Sequence, residues 1–279
     1  MVILIPLYIV KLAPYKGKPI VKKINALTEK EIALNIKNSK TNIPFKSKLS
    51  PPYYSFTTYA AHNAALIKLE SFEKNPWKAY TNFLDSCFAE LEKNKIKNLI
   101  IDLRWNIGGP REYPIYLYSR ISEKPFSFCK ELITTSETVK EKLPLDSEKV
   151  FEKLDDNFYV VKSNARGLGL QSPSQNPYRG KIFLLIDGQS NSASAQFASI
   201  FYSNKRGVII GEEAGGLFTG GTGEHHYYLK LPSSKITVQI PRYRIVLDVD
   251  QNKFYGHGLK PHHEVNESVD QLIKEKIVY

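Results

Sequence analysis

The chain has 279 residues, 42% of them hydrophobic and 12% aromatic, an ordinary globular composition that can bury one large core or two modest ones. Its formal net charge of +11 comes from lysines and arginines spread along the whole length; with no reader motif beside them, they argue against nucleic-acid binding. Two cysteines, Cys87 and Cys129, exclude a disulfide framework and lack metal-ligand spacing, leaving room for one bridge at most.

The opening run MVILIPLYIV reads as a β-strand: it has no basic leader and no small-residue cleavage site, and it is too short to span a bilayer. No signal peptide is therefore expected in these residues. Gly17 and Pro19 then mark a turn, Ile20, Val21 and Ile24 a strand, and Thr28 the start of a short helix. Residues 1–45 are thus expected to form a small β-rich module and 46–279 a larger core. Residues 36–56 are polar and proline-bearing, which fits a connecting loop or an edge strand.

AALIKLESF at 64–72 predicts a strand, and NPWKAYTNFLDSCFAELEKNK the clearest helix of the chain. Asn75 is placed to cap it and Pro76 to open it. Trp77, Tyr80, Phe83, Leu84, Cys87, Phe88 and Leu91 fall on one stripe at helical spacing, which is core material. IKNLIIDLR follows as a strand buried on both faces and ends in WNIGG. Residues 122–180 read as loop-rich, with a strand at FYVVK and a helical or irregular stretch around SETVKEKL. KIFLLID, SASAQFASIFYSN and GVIIGEE then form a strand–helix–strand unit, which implies a parallel sheet. The tail predicts three strands, YYLKLP, KITVQIP and YRIVLDV, and a closing helix, ESVDQLIKEKIV.

In a parallel sheet, ligands gather at the carboxyl ends of the strands. Two such ends are distinctive here: Asn106-Ile107-Gly108-Gly109 and Ser190-Asn191-Ser192-Ala193-Ser194. Acyl transfer needs a nucleophile, a base and N–H donors aimed at the developing oxyanion. Glycines after a strand let the backbone approach a substrate, and a serine at a helix start sits beside unbonded N–H groups. The two loops supply everything except the base. A tight turn and a serine-capped helix would use the same residues without chemistry. GQSNS also invites comparison with the nucleophile elbow Gly-x-Ser-x-Gly, nominating Ser190, but the final glycine is replaced by Ser192.

NLIIDLRWNIGG, FLLIDGQSNSASAQFASIF, GVIIGEEAGG and YGHGLKPHHEV together resemble, in order and spacing, the successive blocks of the S41 serine peptidases, the family of tail-specific, carboxyl-terminal processing proteases and their tricorn-core-like relatives. The resemblance implies an α/β fold with a ClpP/crotonase-like core, preceded by a partial, PDZ-like β-rich module. It implies Ser192 as the nucleophile, an oxyanion hole from Ala193 and either Gly108 or Gly109, and capping or positioning roles for Ser190 and Ser194. Peptides or unfolded proteins are the implied substrates, no cofactor or metal is implied, and the location implied by analogy is extracytoplasmic.

The chain departs from the family at the base. The processing-protease branch has a lysine about two residues beyond its Gly-Glu block, where this sequence has Leu217. The tricorn-like branch, which GEEAGG at 211–216 resembles more closely, takes a histidine from a segment upstream of the first core strand, usually near an Asp-Gly-His, and the base is expected there. Within this sequence His225 and His226 are the candidates for a substitute base. His62 reads as a capping or solvent-facing residue and His257 as a turn residue, His262 stands where the resemblance implies an aspartate after the proline, and the acidic partner of the base, expected near 248–256, is left unassigned between Asp248 and Asp250. The adjacent histidines at 225–226 and 262–263 would point to opposite faces of a strand, which disfavours a metal site. Two other functions remain open from the sequence: a peptide- or protein-binding member that has lost catalysis, and acyl-thioester chemistry on a crotonase-like core, for which no coenzyme-A signature is visible.

Overall fold

A computed structural model of the chain describes residues 3–5, 8–10, 53–73, 76–142, 150–162 and 167–265. The opening run is two short strands instead of one: β1 (Ile3–Ile5) and β2 (Tyr8–Val10) pair antiparallel, Ile5 opposite Tyr8. Pro6, between them in sequence, has no N–H to give a ladder. The strand expected at 20–24, the helix from Thr28, the boundary at 45/46 and the closing helix lie outside the described residues.

The main sheet has six strands in the order β15 (His263–Glu264), β12 (Val208–Gly211), β11 (Lys181–Ile186), β5 (Asn98–Asp102), β4 (Ala64–Leu69) and β3 (Tyr54–Tyr59). Every pair is parallel except β3–β4, so the end of the proline-bearing stretch is an edge strand. Burial alternates along these strands: Leu99 and Ile101 of β5 and Ile182, Leu184 and Ile186 of β11 share one face and are excluded from solvent, whereas Ile100, Phe183 and Leu185 on the other face are half-buried, so the expected burial on both faces is complete on one face only. The helix α1 (Trp77–Lys93) buries Tyr80, Leu84, Cys87, Phe88 and Leu91 along one stripe. Pro76 stands at the cap instead of Asn75, so the helix opens at Trp77, one residue later than expected. Both cysteines are buried free thiols, and burial pushes the Cys87 thiol up to about 12.

Three regions differ from the sequence expectation. EYPIYLYS forms α2 (Glu112–Ser119), with Pro114 inside its first turn, where a missing N–H is harmless. The 122–180 region has the expected helical stretch, α3 (Ser136–Lys142), and the expected strand, β9 (Phe158–Val161), but also the unforeseen strands β6 (Phe126–Ser127), β7 (Cys129–Thr135), β8 (Phe151–Lys153) and β10 (Leu170–Gln171). KITVQIP and YRIVLDV are one strand, β14 (Thr237–Leu247), running through Pro241. It joins β13 (Gly220–Lys230), β7, β9 and β8 in a five-stranded antiparallel sheet. Pro241 is tolerated because β7 pairs with β14 only from Tyr243 onward, leaving no partner for an N–H on that side.

Helix α4 (Ala193–Ser203) connects β11 to β12 and is buried from Ala193 through Phe201. Its far end carries His262, stacked on Tyr202 with centroids 5.2 Å apart and accepting the Ile209 N–H at Nδ1 over 2.9 Å. Burial first, then the neighbouring His263 and Lys253 charges, holds His262 below the ordinary histidine value. The folded state therefore stays neutral here while the unfolded chain takes up a proton below about pH 6.5. Stability supplied at this position is full above that value and falls as pH drops towards the depressed folded value. Thermal melts between about pH 7 and pH 5 are expected to decline less steeply in His262→Gln than in the parent, and equal slopes would refute the assignment.

Candidate active site

The ends of β5 and β11 are bolted together by side chains. Leu103 N–H donates to Leu185 O at 3.0 Å. The Asp187 carboxylate accepts the N–H groups of Trp105, Gln189 and Ser190 at 3.0–3.1 Å. Ser190 is buried; its hydroxyl donates to Leu103 O at 2.8 Å and accepts the Asp187 N–H at 3.1 Å. Ser190 is thus fully occupied in holding one strand end to the other. That geometry removes it from the candidates for nucleophile.

The loop after β5 is fixed from within by Asn106, which is buried. Its Nδ2 donates to Leu69 O at 3.0 Å, its Oδ1 accepts the Gly108 N–H at 2.9 Å, and its backbone carbonyl accepts the Asn191 N–H at 3.1 Å. One residue, through its side-chain amide and its backbone carbonyl, therefore spans β4, the glycine loop and the serine loop. Gly108 has φ +101°, and a Cβ there would lie 2.7 Å from Ser192 Cβ and 2.9 Å from Ala193 N. Only a residue without a side chain allows that approach.

Ser192 stands at the cap of α4 with φ +51° and ψ −126°, a conformation unusual for an L-residue. Such strain persists only where the surroundings over-determine it. Here they do: Ser192 N–H donates to Asn191 Oδ1 at 2.7 Å, and Gln196 N–H donates to Ser192 O at 2.9 Å. Ser192 Oγ caps nothing and makes no hydrogen bond among the described residues. The strained residue between strand and helix is thus Ser192, two residues beyond the position that the GQSNS comparison suggested. The N–H groups of Ala193 and Gly109 have no acceptor among the described residues, whereas Gly108 N–H is committed to Asn106. Ser194 is buried, and its Oγ lacks a partner among the described residues.

A third loop closes on this point. A Cβ at Gly216 would meet Ala195 Cβ at 2.7 Å and Ser192 N at 3.4 Å, and Gly215 N–H donates to Ser190 O at 3.0 Å. GEEAGG therefore packs against the serine loop, and Trp105, Ile107 and Leu217 from the two glycine loops are left exposed beside it.

The histidines are dispersed. His62 lies at the amino end of the parallel strands, its carbonyl accepting from Asn98 Nδ2, on the side opposite Ser192. His262 is held at the far end of α4, as described above. His257 pairs through Nδ1 with Glu213 Oε1 at 3.4 Å. His226 sits opposite Pro241 in the β13–β14 ladder, while Glu224 and His225 form a bulge with φ +48° and +50°. Glu224 binds Arg111, Nε to Oε1 at 2.7 Å with a second contact from Nη2. Arg111 lies two residues past Gly109, so this buried pair ties the bulge carrying His225 to the glycine loop. Sequence reasoning named Asn106 as part of a distinctive strand end without giving it a role, and missed Asp187 and the Arg111–Glu224 pair.

The sequence profile of Peptidase family S41 matches residues 63–265. The chain belongs to this family. No curated protein matches the chain. Among solved structures, this S41 chain is similar to a CPAF mutant (TM-score 0.56, 15% identity, 76% of this chain and 47% of that one). It is also similar to a peptidase from Parabacteroides merdae ATCC 43184 (TM-score 0.54, 19% identity, 88% and 66%), and to mature CPAF complexed with lactacystin (TM-score 0.51, 16% identity, 72% and 47%). The S41 chain thus spans about half the length of the CPAF chains and two-thirds of the Parabacteroides one. At these identities the likeness is one of fold, the α/β ClpP/crotonase-like core.

Proposed function

We propose that this S41 member is a serine peptidase acting on extended peptide segments, with Ser192 as its nucleophile. The observation that carries the reading is the strained, uncapped Ser192 at the start of α4, facing two strand-end loops whose backbone donors include unsatisfied N–H groups. Ser192 Oγ attacks the scissile carbonyl carbon as its proton passes to a base; the carbonyl oxygen, now an oxyanion, is held by Ala193 N–H and a glycine-loop N–H. Gly109 suits that second role, since Gly108 N–H already serves Asn106; Gly108 contributes its missing Cβ. Collapse of the tetrahedral intermediate expels the amine, which takes the proton back from the base, and water then hydrolyses the acyl-enzyme by the same steps reversed.

His225 is the base candidate within the described residues that the geometry favours over His226, because its bulge is anchored to the glycine loop through Glu224 and Arg111. An extracytoplasmic setting is part of the proposal by family analogy; no described helix is long and apolar enough to cross a membrane.

A fluorophosphonate probe tests the reading. The chain is expected to label, His226→Gln to label equally, and His225→Gln to lose about 10²–10⁴-fold in labelling rate. Ser192→Gly is expected to abolish labelling while raising stability by about 1 kcal/mol, because glycine adopts φ +51° without strain. Silence from the unmodified chain, together with measurable peptide binding, would favour the second reading, a binding protein on the same fold; the absence of a hydrogen bond from Ser192 Oγ to any described base is the observation on its side.

A further inference from the structure

Beside the glycine loop lies an open cleft of about 330 Å³ lined by Trp77, Pro110, Glu112 and Tyr113. Its walls are aromatic and come from two helices. Trp77 opens α1 and stays 43% exposed, although its neighbours on the same stripe are buried. The indole stands edge-on to Tyr113 at 5.1 Å and to Tyr116 at 5.5 Å. A large ring held in place by two others, with much of its surface open to solvent, is a preformed contact surface and not a core residue.

Glu112 adds the charge. It is exposed in the first turn of α2 and forms no ion pair among the described residues. Asp102 and Glu224 are each neutralised by an arginine, Arg104 and Arg111; the Glu112 charge is left for a partner from outside. Glu112 lines the cleft together with Trp77 and Tyr113; burial first, then the Glu112 charge, raises the Tyr113 phenol above its ordinary value.

The cleft is also close to the proposed chemistry. Gly108 approaches Ser192 so closely that a Cβ on it would lie 2.7 Å from Ser192 Cβ, and the Cα of Pro110, two residues further along the chain, lies at most about 7.6 Å from that of Gly108 by backbone reach. One or two residues of an extended peptide cover that distance.

We infer that this cleft is a subsite for a cationic side chain, arginine or lysine, of the peptide bound at Ser192. Trp77, Pro110 and the edge of Tyr113 cover the methylene stem, the exposed Trp77 indole offers its face to the cation, and Glu112 pairs with its charged end. Apolar residues of equal length gain only the first of these contacts. The inference rests on the peptidase reading for the position of the scissile bond, but binding alone can test it.

The probe is a set of end-blocked alanine hexapeptides carrying arginine, norleucine or glutamate at each position in turn, titrated calorimetrically into the full chain bearing Ser192→Ala. Arginine at one position is expected to bind about tenfold more tightly than norleucine. Glu112→Gln, an exposed and nearly isosteric change, is expected to bring that ratio close to one, and Trp77→Leu to weaken arginine and norleucine peptides alike at that position. An arginine preference that survives Glu112→Gln, no preference at any position, or no binding by any peptide overturns the inference. If the preference is found and disappears in Glu112→Gln while the unmodified chain cleaves no peptide, the subsite stands and the peptidase reading fails.

Discussion

Gly108→Ala is expected to abolish reaction of Ser192 with a fluorophosphonate and to lower the unfolding free energy by about 2–4 kcal/mol. The added Cβ would fall 2.7 Å from Ser192 Cβ, 2.8 Å from Asn191 O and 2.9 Å from Ala193 N. Two of those atoms are backbone, and the serine loop is fixed by Asn106 and Asp187, so neither side yields cheaply. Backbone strain adds to the collision, because φ is +101° at this position. Whatever relaxation occurs must move Ser192 or the Ala193 N–H, and displacements of about 1 Å suffice to cost catalysis some hundredfold. Gly221→Ala is the control: a Cβ there meets nothing within 4 Å, and its urea melt is expected within about 0.5 kcal/mol of the parent. A Gly108→Ala chain that melts and labels like the parent would show that the two loops are not locked as described.

The parallel sheet was legible because its strands carry the simplest signal. NLIID and KIFLLI are continuous apolar runs, and SASAQFASIF between two such runs leaves little choice but a buried crossover helix. The antiparallel sheet was harder to read. Along β7, Cys129, Leu132 and Thr134 are the buried positions, and the register irregularity between Val246 and Leu247 opposite it breaks the period of two by which a strand is recognised. Pro241 divided β14 in the sequence although only one of its edges is paired there. At the site, Ser192, Ala193 and the two glycines could be nominated from local pattern, since each role depends on near neighbours. Asn106 and Asp187 could not, because what defines them comes from elsewhere: Leu69 O is 37 residues from Asn106, and the Trp105 N–H is 82 residues from Asp187. No sequence period encodes such pairs.

Arg111 and Glu224 are joined over a still longer separation, 113 residues, and breaking that pair is expected to have the largest effect on stability. The Arg111 side chain is 3% exposed and that of Glu224 19%, so removing either leaves a charge with little water around it. Arg111→Met is expected to cost about 3–5 kcal/mol by urea denaturation, whereas Arg111→Met combined with Glu224→Gln is expected to recover a large part of the loss, since no buried charge is then stranded. The non-additivity, about 1–3 kcal/mol, distinguishes an ion pair from two independent packing defects, which would simply sum. A functional consequence follows from where the pair sits. Glu224 and His225 both hold positive φ in the bulge, and the guanidinium is a contact that ties that bulge to the residues following Gly109. Under conditions where Arg111→Met remains folded, its fluorophosphonate labelling is expected to fall towards that of His225→Gln, and the two changes combined to be little worse than one. If Arg111→Met labels at the parental rate while His225→Gln does not, the ion pair stabilises the sheet without positioning the histidine.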